Sequence, residues 1–159
     1  MFKKIKQVFV LNNLKLKKIV ISSLFISLLG IADTAYLTIA HYTQTVTLAC
    51  PSTSFINCAK VTTSSYSEIF GIPVSLIGLL FFLLLTFLQL PIFWTNKYLW
   101  LKNPRLIFIG LGLVSALWFI YVELHKLRAI CLYCSGAHLL IFLSLIITLF
   151  ASEHLRASD

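Results

Sequence analysis

Four cysteines carry the most informative chemistry in this 159-residue chain, and they fall into two unlike pairs. Cys50 and Cys58 lie in a stretch rich in Thr and Ser, whereas Cys131 and Cys134 form Cys-Leu-Tyr-Cys at the head of an apolar run. Residues three apart on a helix share a face, and a suitably adjusted first turn brings two such sulfurs within disulfide reach. A helix N-terminus also carries positive potential and unpaired N–H groups, which favour a thiolate. Lys126 and Arg128 push the same way, and apolar burial opposes them. Such a pair suits reversible redox chemistry. The loop pair would close a short ring worth about 2.5 kcal/mol in chain entropy, so it suits either a structural bridge or a mobile dithiol. Together the pairs read as a relay, because thiol–disulfide exchange passes two electrons through a mixed disulfide. Two other arrangements use the same residues: a zinc site completed by His125, or structural disulfides in a membrane protein without enzymatic activity. A second bridge within one helical turn adds little to a helix bundle, which favours the redox reading of Cys131 and Cys134.

The segments that must position these sulfurs are unusually apolar. Apolar residues make up 59% of the chain and charged residues 11%, against about 45–50% and roughly 25% in ordinary soluble domains. That composition excludes a water-soluble enzyme, a nucleic-acid-binding module and a disordered tail. A membrane helix needs about 20 apolar residues, and four stretches qualify: 19–42, 70–94, 106–124 and 129–151. The expectation is an all-α membrane protein, a four-transmembrane-helix bundle over 19–151. A Cys-bearing outer loop, 43–69, joins the first two helices, with a basic segment 1–18 before the bundle and a tail 152–159 after it.

Basic residues set the orientation. With the N-terminus inside, the cytoplasmic segments hold Lys3, Lys4, Lys6, Lys15, Lys17, Lys18, Lys97, Lys102, Arg105 and Arg156, while the outer ones hold Lys60, Lys126 and Arg128. Both termini then face the cytoplasm of a plasma (inner) membrane, and the cysteines gather on the outer side, where disulfides persist. The net charge of +8 is thereby accounted for without nucleic acid. The first span has too long an apolar run for a cleaved signal, and no small-x-small site closes it. Tyr66, Ile69 and Phe70 predict a short surface helix over the bundle mouth, and Pro73 and Pro104 suit first helical turns. His125–Arg128 alone links the third and fourth helices, which must be antiparallel neighbours. With an apolar, aromatic bundle beneath Cys131 and Cys134, a lipid-soluble quinone is the natural electron acceptor.

At this point the chain resembles the vitamin K epoxide reductase family, the bacterial-type branch in particular. The shared residues begin with Gly30 and Asp33-Thr34-Ala35-Tyr36-Leu37-Thr38 and continue through Cys50 and Cys58. Ser64-Ser65-Tyr66-Ser67-Glu68-Ile69-Phe70-Gly71-Ile72-Pro73-Val74-Ser75 follows, then Tyr121-Val122-Glu123-Leu124 and Cys131-Leu132-Tyr133-Cys134. Their order is the reverse of that in the disulfide-bond protein B family, where the CxxC comes first. The resemblance implies a four-helix bundle around a quinone, ubiquinone or menaquinone. It implies that Cys134 reacts with the quinone, that Cys131 exchanges with the loop pair, and that Cys50 and Cys58 take electrons from a thioredoxin-like protein. Many bacterial relatives carry that partner as a fused domain; here it is expected as a separate protein. The net effect would be disulfide-bond formation outside the cytoplasm. Ser64 matches a Ser/Thr position near the family's active site, while Ser65 stands where a proline is common.

Other polar residues complete the expectations. His138 lies one turn beyond Cys134 on the same face, placed to hydrogen-bond a quinone oxygen or donate a proton; animal members place a tyrosine at this offset. Asp33 should face the bundle or a wet cavity, since a carboxylate at mid-membrane costs on the order of 2.5–3.5 kcal/mol. Glu123 is expected to pair with Lys126. His41, His125 and His154 are expected at headgroup depth without a special role, and Trp94, Tyr98 and Trp100 as an inner interfacial belt.

Overall fold

The computed structural model describes residues 14–43, 48–51, 53–94 and 102–156. Lys3, Lys4, Lys6, Lys97, Tyr98 and Trp100, to which orientation or interfacial roles were assigned above, lie outside the described residues. The chain is mostly helical. Helix α1 (Leu14–Thr43) is followed by a short helix α2 (Cys58–Thr62), a hairpin of β1 (Glu68–Ile69) and β2 (Ile72–Pro73), and helix α3 (Val74–Leu88). A 3₁₀ turn over Pro91–Trp94 ends that segment. Helix α4 (Lys102–Tyr121) runs into a π-helical turn, Val122–Leu127, and α5 (Leu132–Arg156) closes the bundle.

Small polar residues on α1 set the packing. Ser23, Ser27, Thr34 and Thr38 are all buried. Their hydroxyls are satisfied within the helix: Ser27 Oγ donates to the Ser23 carbonyl (3.1 Å), Thr34 Oγ1 to Gly30 (2.6 Å) and Thr38 Oγ1 to Thr34 (2.7 Å). Such a stripe admits close neighbours. The ring of Phe82 from α3 fills the space that a Cβ on Gly30 would need. α1 thus packs against both α3 and α5, and α5 packs against α4. Phe82, Leu85, Ile109, Ala116 and Ile141 form the core where α3, α4 and α5 meet.

Among the described residues, three helices are long and apolar enough to cross a membrane: Lys17–Thr43, Pro104–Leu127 and Leu132–Ala151; the apolar α3 has 15 residues. Leu111 and Val114 on α4 and Phe150 on α5 are each more than 60% exposed, a surface suited to lipid rather than water.

Four details differ from expectation. The segment before α3 is the helix α2 followed by a β-hairpin rather than a single surface helix; Phe70 (φ 53°) and Gly71 (φ 77°) form its left-handed turn, the twist that suits a two-residue hairpin. Pro73 sits just ahead of α3 with φ −58°, while Pro104 lies in the first turn of α4. Trp94 is buried rather than interfacial: its Nε1–H donates to the Gln89 carbonyl (3.0 Å), and the Arg105 guanidinium lies 4.1 Å over its ring. The link between the last two helices is 128–131 rather than His125–Arg128, because the π-helical turn Val122–Leu127 continues the preceding helix.

Candidate active site

All four cysteines meet at one end of the bundle. Cys50 and Cys58 form a disulfide. Cys58 opens α2, whose first turn is capped by Asn57: its Oδ1 accepts the Lys60 N–H at 2.9 Å. The strand-like run before that cap lies beside the residue preceding Cys131. Ile56 and Ile130 form a parallel β-bridge, with the Ile130 N–H donating to the Phe55 carbonyl (2.8 Å) and the Asn57 N–H to the Ile130 carbonyl (3.1 Å). Cys58 and Cys131 follow directly from the bridged segments, and both are fully buried. Cys50 is partly exposed.

Cys131 and Cys134 are free thiols. Their sulfurs are 2.6 Å apart, and the Cys134 N–H donates to Cys131 Sγ at 3.2 Å. Cys131 stands one residue ahead of the span Leu132–Ala151. Hydrogen bonding from Cys134 holds its thiol below the ordinary cysteine range, opposed by burial and by the nearby Glu123 carboxylate. Of the two thiols, Cys131 is thus the one favoured as a thiolate.

Glu123 departs from expectation. It is buried, Lys126 is exposed, and the Glu123 carboxylate accepts the Cys131 N–H at 3.4 Å instead of pairing with Lys126. The π-helical turn is the cause: its wider winding breaks the i,i+3 stacking on which the expected pair depended. Nothing in the residue types announces such a turn.

Beneath the thiols lies a cavity of about 290 Å³. Its lining is largely apolar, with Phe81, Phe82, Phe108, Leu111 and Phe119 among the walls; Cys134, His138, Ser64, Glu123, Thr34 and His41 supply polar groups. Cys134 and His138 therefore share one wall, as their offset on a helix requires. His138 is about nine-tenths buried, and its Nδ1 has no hydrogen-bond partner. Ser64 reaches the same cavity from the end of α2, with its hydroxyl donated to the Val61 carbonyl at 2.8 Å. Asp33 lies outside this lining; it is half-buried, with Oδ2 shielded and unpaired.

Two contacts of the site have no forewarning in spacing. His41 Nε2 lies 3.2 Å from Glu68 Oε1, tying the end of α1 to the hairpin, whereas no role was expected of it. The Tyr36 and Tyr133 rings meet in a tilted contact, 5.1 Å between ring centres, and hold Ala49, the neighbour of Cys50. The Ala49 N–H donates to the Tyr36 hydroxyl (3.4 Å), and the Tyr133 hydroxyl donates to the Ala49 carbonyl (3.2 Å). His125 stacks on Tyr121 at 4.8 Å. Among the described residues, no three of His, Cys, Asp and Glu gather closely enough to hold a metal ion.

The geometry is thus a disulfide-bearing loop pinned beside a vicinal dithiol, which opens on its far side to an apolar cavity. The model of the vitamin K epoxide reductase family matches residues 21–149, a range that takes in all of these groups. No curated protein matches the chain.

Proposed function

Because the chain belongs to the vitamin K epoxide reductase family, whose members are membrane oxidoreductases, we propose that it passes electrons from a thioredoxin-like protein to a quinone. Disulfide bonds would thereby be generated outside the cytoplasm. The observation that carries this reading is the position of Cys131 and Cys134 between the loop disulfide and the cavity. The residue before Cys131 is bridged by backbone to the segment that leads into Cys58, and Cys134 lines the cavity wall.

The steps follow from burial. Cys50 is the accessible member of the loop disulfide, so one thiolate of the partner's dithiol attacks there and releases Cys58; the partner's second thiol then attacks its own sulfur in the mixed disulfide, releasing Cys50 and leaving both loop cysteines reduced. Cys58, buried beside Cys131, then attacks Cys131 of the oxidised pair and expels the Cys134 thiolate. Cys50 attacks Cys58 in turn, restoring the loop disulfide and releasing Cys131. The loop has then carried two electrons to Cys131 and Cys134 and is ready for another partner.

The cavity suits a quinone. Its walls are mainly aromatic and aliphatic, it exposes one redox sulfur, and it holds a buried imidazole nitrogen that lacks a partner. When bound there, a quinone supplies a two-electron, two-proton acceptor. His138 would hydrogen-bond or protonate it, Cys134 would face it, and Phe81, Phe82 and Phe108 would exclude water from around it.

Four membrane spans complete the reading, with α3 extended by the Pro91–Trp94 turn to serve as the second span. The distribution of basic residues supports both termini in the cytoplasm of a plasma membrane and the cysteines on the outer side.

Purified protein is mixed with a reduced thioredoxin-like donor and quinone, and quinone reduction is followed by ultraviolet absorbance. Turnover is expected. Cys131→Ser or Cys134→Ser should abolish it with any reductant, while Cys50→Ser or Cys58→Ser should retain it with dithiothreitol, which bypasses the loop. Turnover in the Cys134→Ser variant would overturn the assignment.

A further inference from the structure

The Cys50–Cys58 loop is held at both limbs by residues of one short stretch. Ile130 binds the Cys58 limb through the backbone bridge. Tyr133 binds the Cys50 limb by donating its hydroxyl to the Ala49 carbonyl, and Tyr36 from α1 accepts the Ala49 N–H. The two rings support each other at 5.1 Å. One residue's peptide donor and acceptor are thus both taken by side chains, immediately before a redox cysteine. Ala49 itself is exposed, so apolar burial does not account for its fixed position.

We propose that Tyr36 and Tyr133 form a clamp that keeps Cys50 in attacking position after its bond to Cys58 has been broken. This rests on the relay proposed above and adds positioning residues to it. When Cys58 moves onto Cys131, the chain between Ala49 and Cys58 is no longer closed by a disulfide. A freely moving limb would dilute Cys50 and leave Cys58 joined to Cys131. With Ala49 clamped, Cys50 stays at high effective concentration. Its thiolate attacks Cys58, a Cys50–Cys58 bond forms, and the Cys58–Cys131 bond breaks. Cys131 leaves as a thiolate with the electron pair, so the exchange balances with no outside oxidant. Because Tyr133 sits between the two cysteines of the helix pair, the clamp is mounted on the element that receives the electrons.

The test needs no quinone. Protein is partly reduced in a glutathione buffer to an average of one disulfide per molecule, trapped by alkylation and mapped by mass spectrometry. Tyr36→Phe and Tyr133→Phe are made separately; each removes one hydroxyl and keeps the ring, and thermal unfolding verifies each fold. The ratio of Cys58–Cys131 to Cys50–Cys58 is expected to rise about tenfold in either variant, the scale of one lost hydrogen bond. A general loosening of the fold would raise alkylation at all four cysteines without favouring one isomer. An unchanged isomer ratio in a folded variant overturns the clamp. Absence of quinone reduction by the unsubstituted protein would instead overturn the relay, and the isomer ratio would still be readable.

Discussion

Ile56 and Ile130 pair in a single parallel β-bridge, and through it a loop cysteine and a helix cysteine become neighbours although they lie far apart in sequence. The bridge is backbone-made, so it holds Cys58 and Cys131 close without a bond between their sulfurs. The Asn57 cap is its continuation: one residue donates its N–H to the Ile130 carbonyl and caps the helix that begins at Cys58.

Asn57→Ala should therefore loosen Cys58. Losing such a cap costs about 1 kcal/mol, which raises the population of the opened α2 roughly fivefold. In fully reduced protein, the rate at which Cys58 is alkylated by N-ethylmaleimide is expected to increase by about that factor, with Cys134 unaffected. Equal rates in the two proteins would mean that the bridge alone holds Cys58.

Glu123→Gln tests the buried carboxyl beside the thiols. Glutamine still offers an acceptor to the Cys131 N–H but carries no charge. The Glu123 carboxylate disfavours a thiolate at Cys131, raising its pKa against the lowering by Cys134. Removing that charge should move the pKa further down. The pH profile of Cys131 alkylation by iodoacetamide in reduced protein should shift to lower pH. A shift upward, or none, would show that the carboxyl does not act on the thiol by charge.

Much of this site was legible because helices convert spacing into faces. Cys134 and His138 share a cavity wall for the same reason that they share a face at i and i+4. Ser64 reaches the cavity because it follows the short helix that starts at Cys58. Long-range placement was not legible. That His41 meets Glu68 depends on where the hairpin folds back, and its left-handed Phe70-Gly71 turn lacks the Asn or Asp that usually marks one. Glu123 turns to the Cys131 N–H instead of Lys126 because a π-helical turn does not keep the α-helical period on which the i,i+3 pairing depends. Trp94 reads as interfacial from its type and position, yet the Gln89 carbonyl and Arg105 draw it inward.

Gly30→Ala links packing to the cavity. The added methyl would run into the Phe82 ring, and Phe82 is both core and cavity wall. Overpacking of this kind costs about 1–3 kcal/mol. The variant should unfold at lower temperature and bind quinone more weakly, seen as a higher KM with dithiothreitol as reductant. Adding Phe82→Leu, which vacates the space, should recover much of the lost stability. Failure of that second change to help would place the strain elsewhere.

His138→Leu isolates the imidazole in the cavity wall. Leucine keeps the apolar bulk but removes both nitrogens, including the Nδ1 that has no partner within the protein. A buried polar atom without a partner is costly, so its retention beside Cys134 is best explained by what enters the cavity. With dithiothreitol supplying electrons directly to Cys131 and Cys134, kcat/KM for quinone should fall at least tenfold, the worth of one hydrogen bond. If the imidazole also delivers a proton, the loss should reach about a hundredfold and appear mainly in kcat. His138→Gln then separates the two roles. Glutamine donates a hydrogen bond but no proton, so it should restore KM and leave kcat low. The rate at which a thiol reductant reduces the Cys131–Cys134 disulfide, measured without quinone, should be the same in all three proteins, because His138 acts on the cavity side of Cys134. An unaltered kcat/KM in the leucine variant would remove His138 from the site.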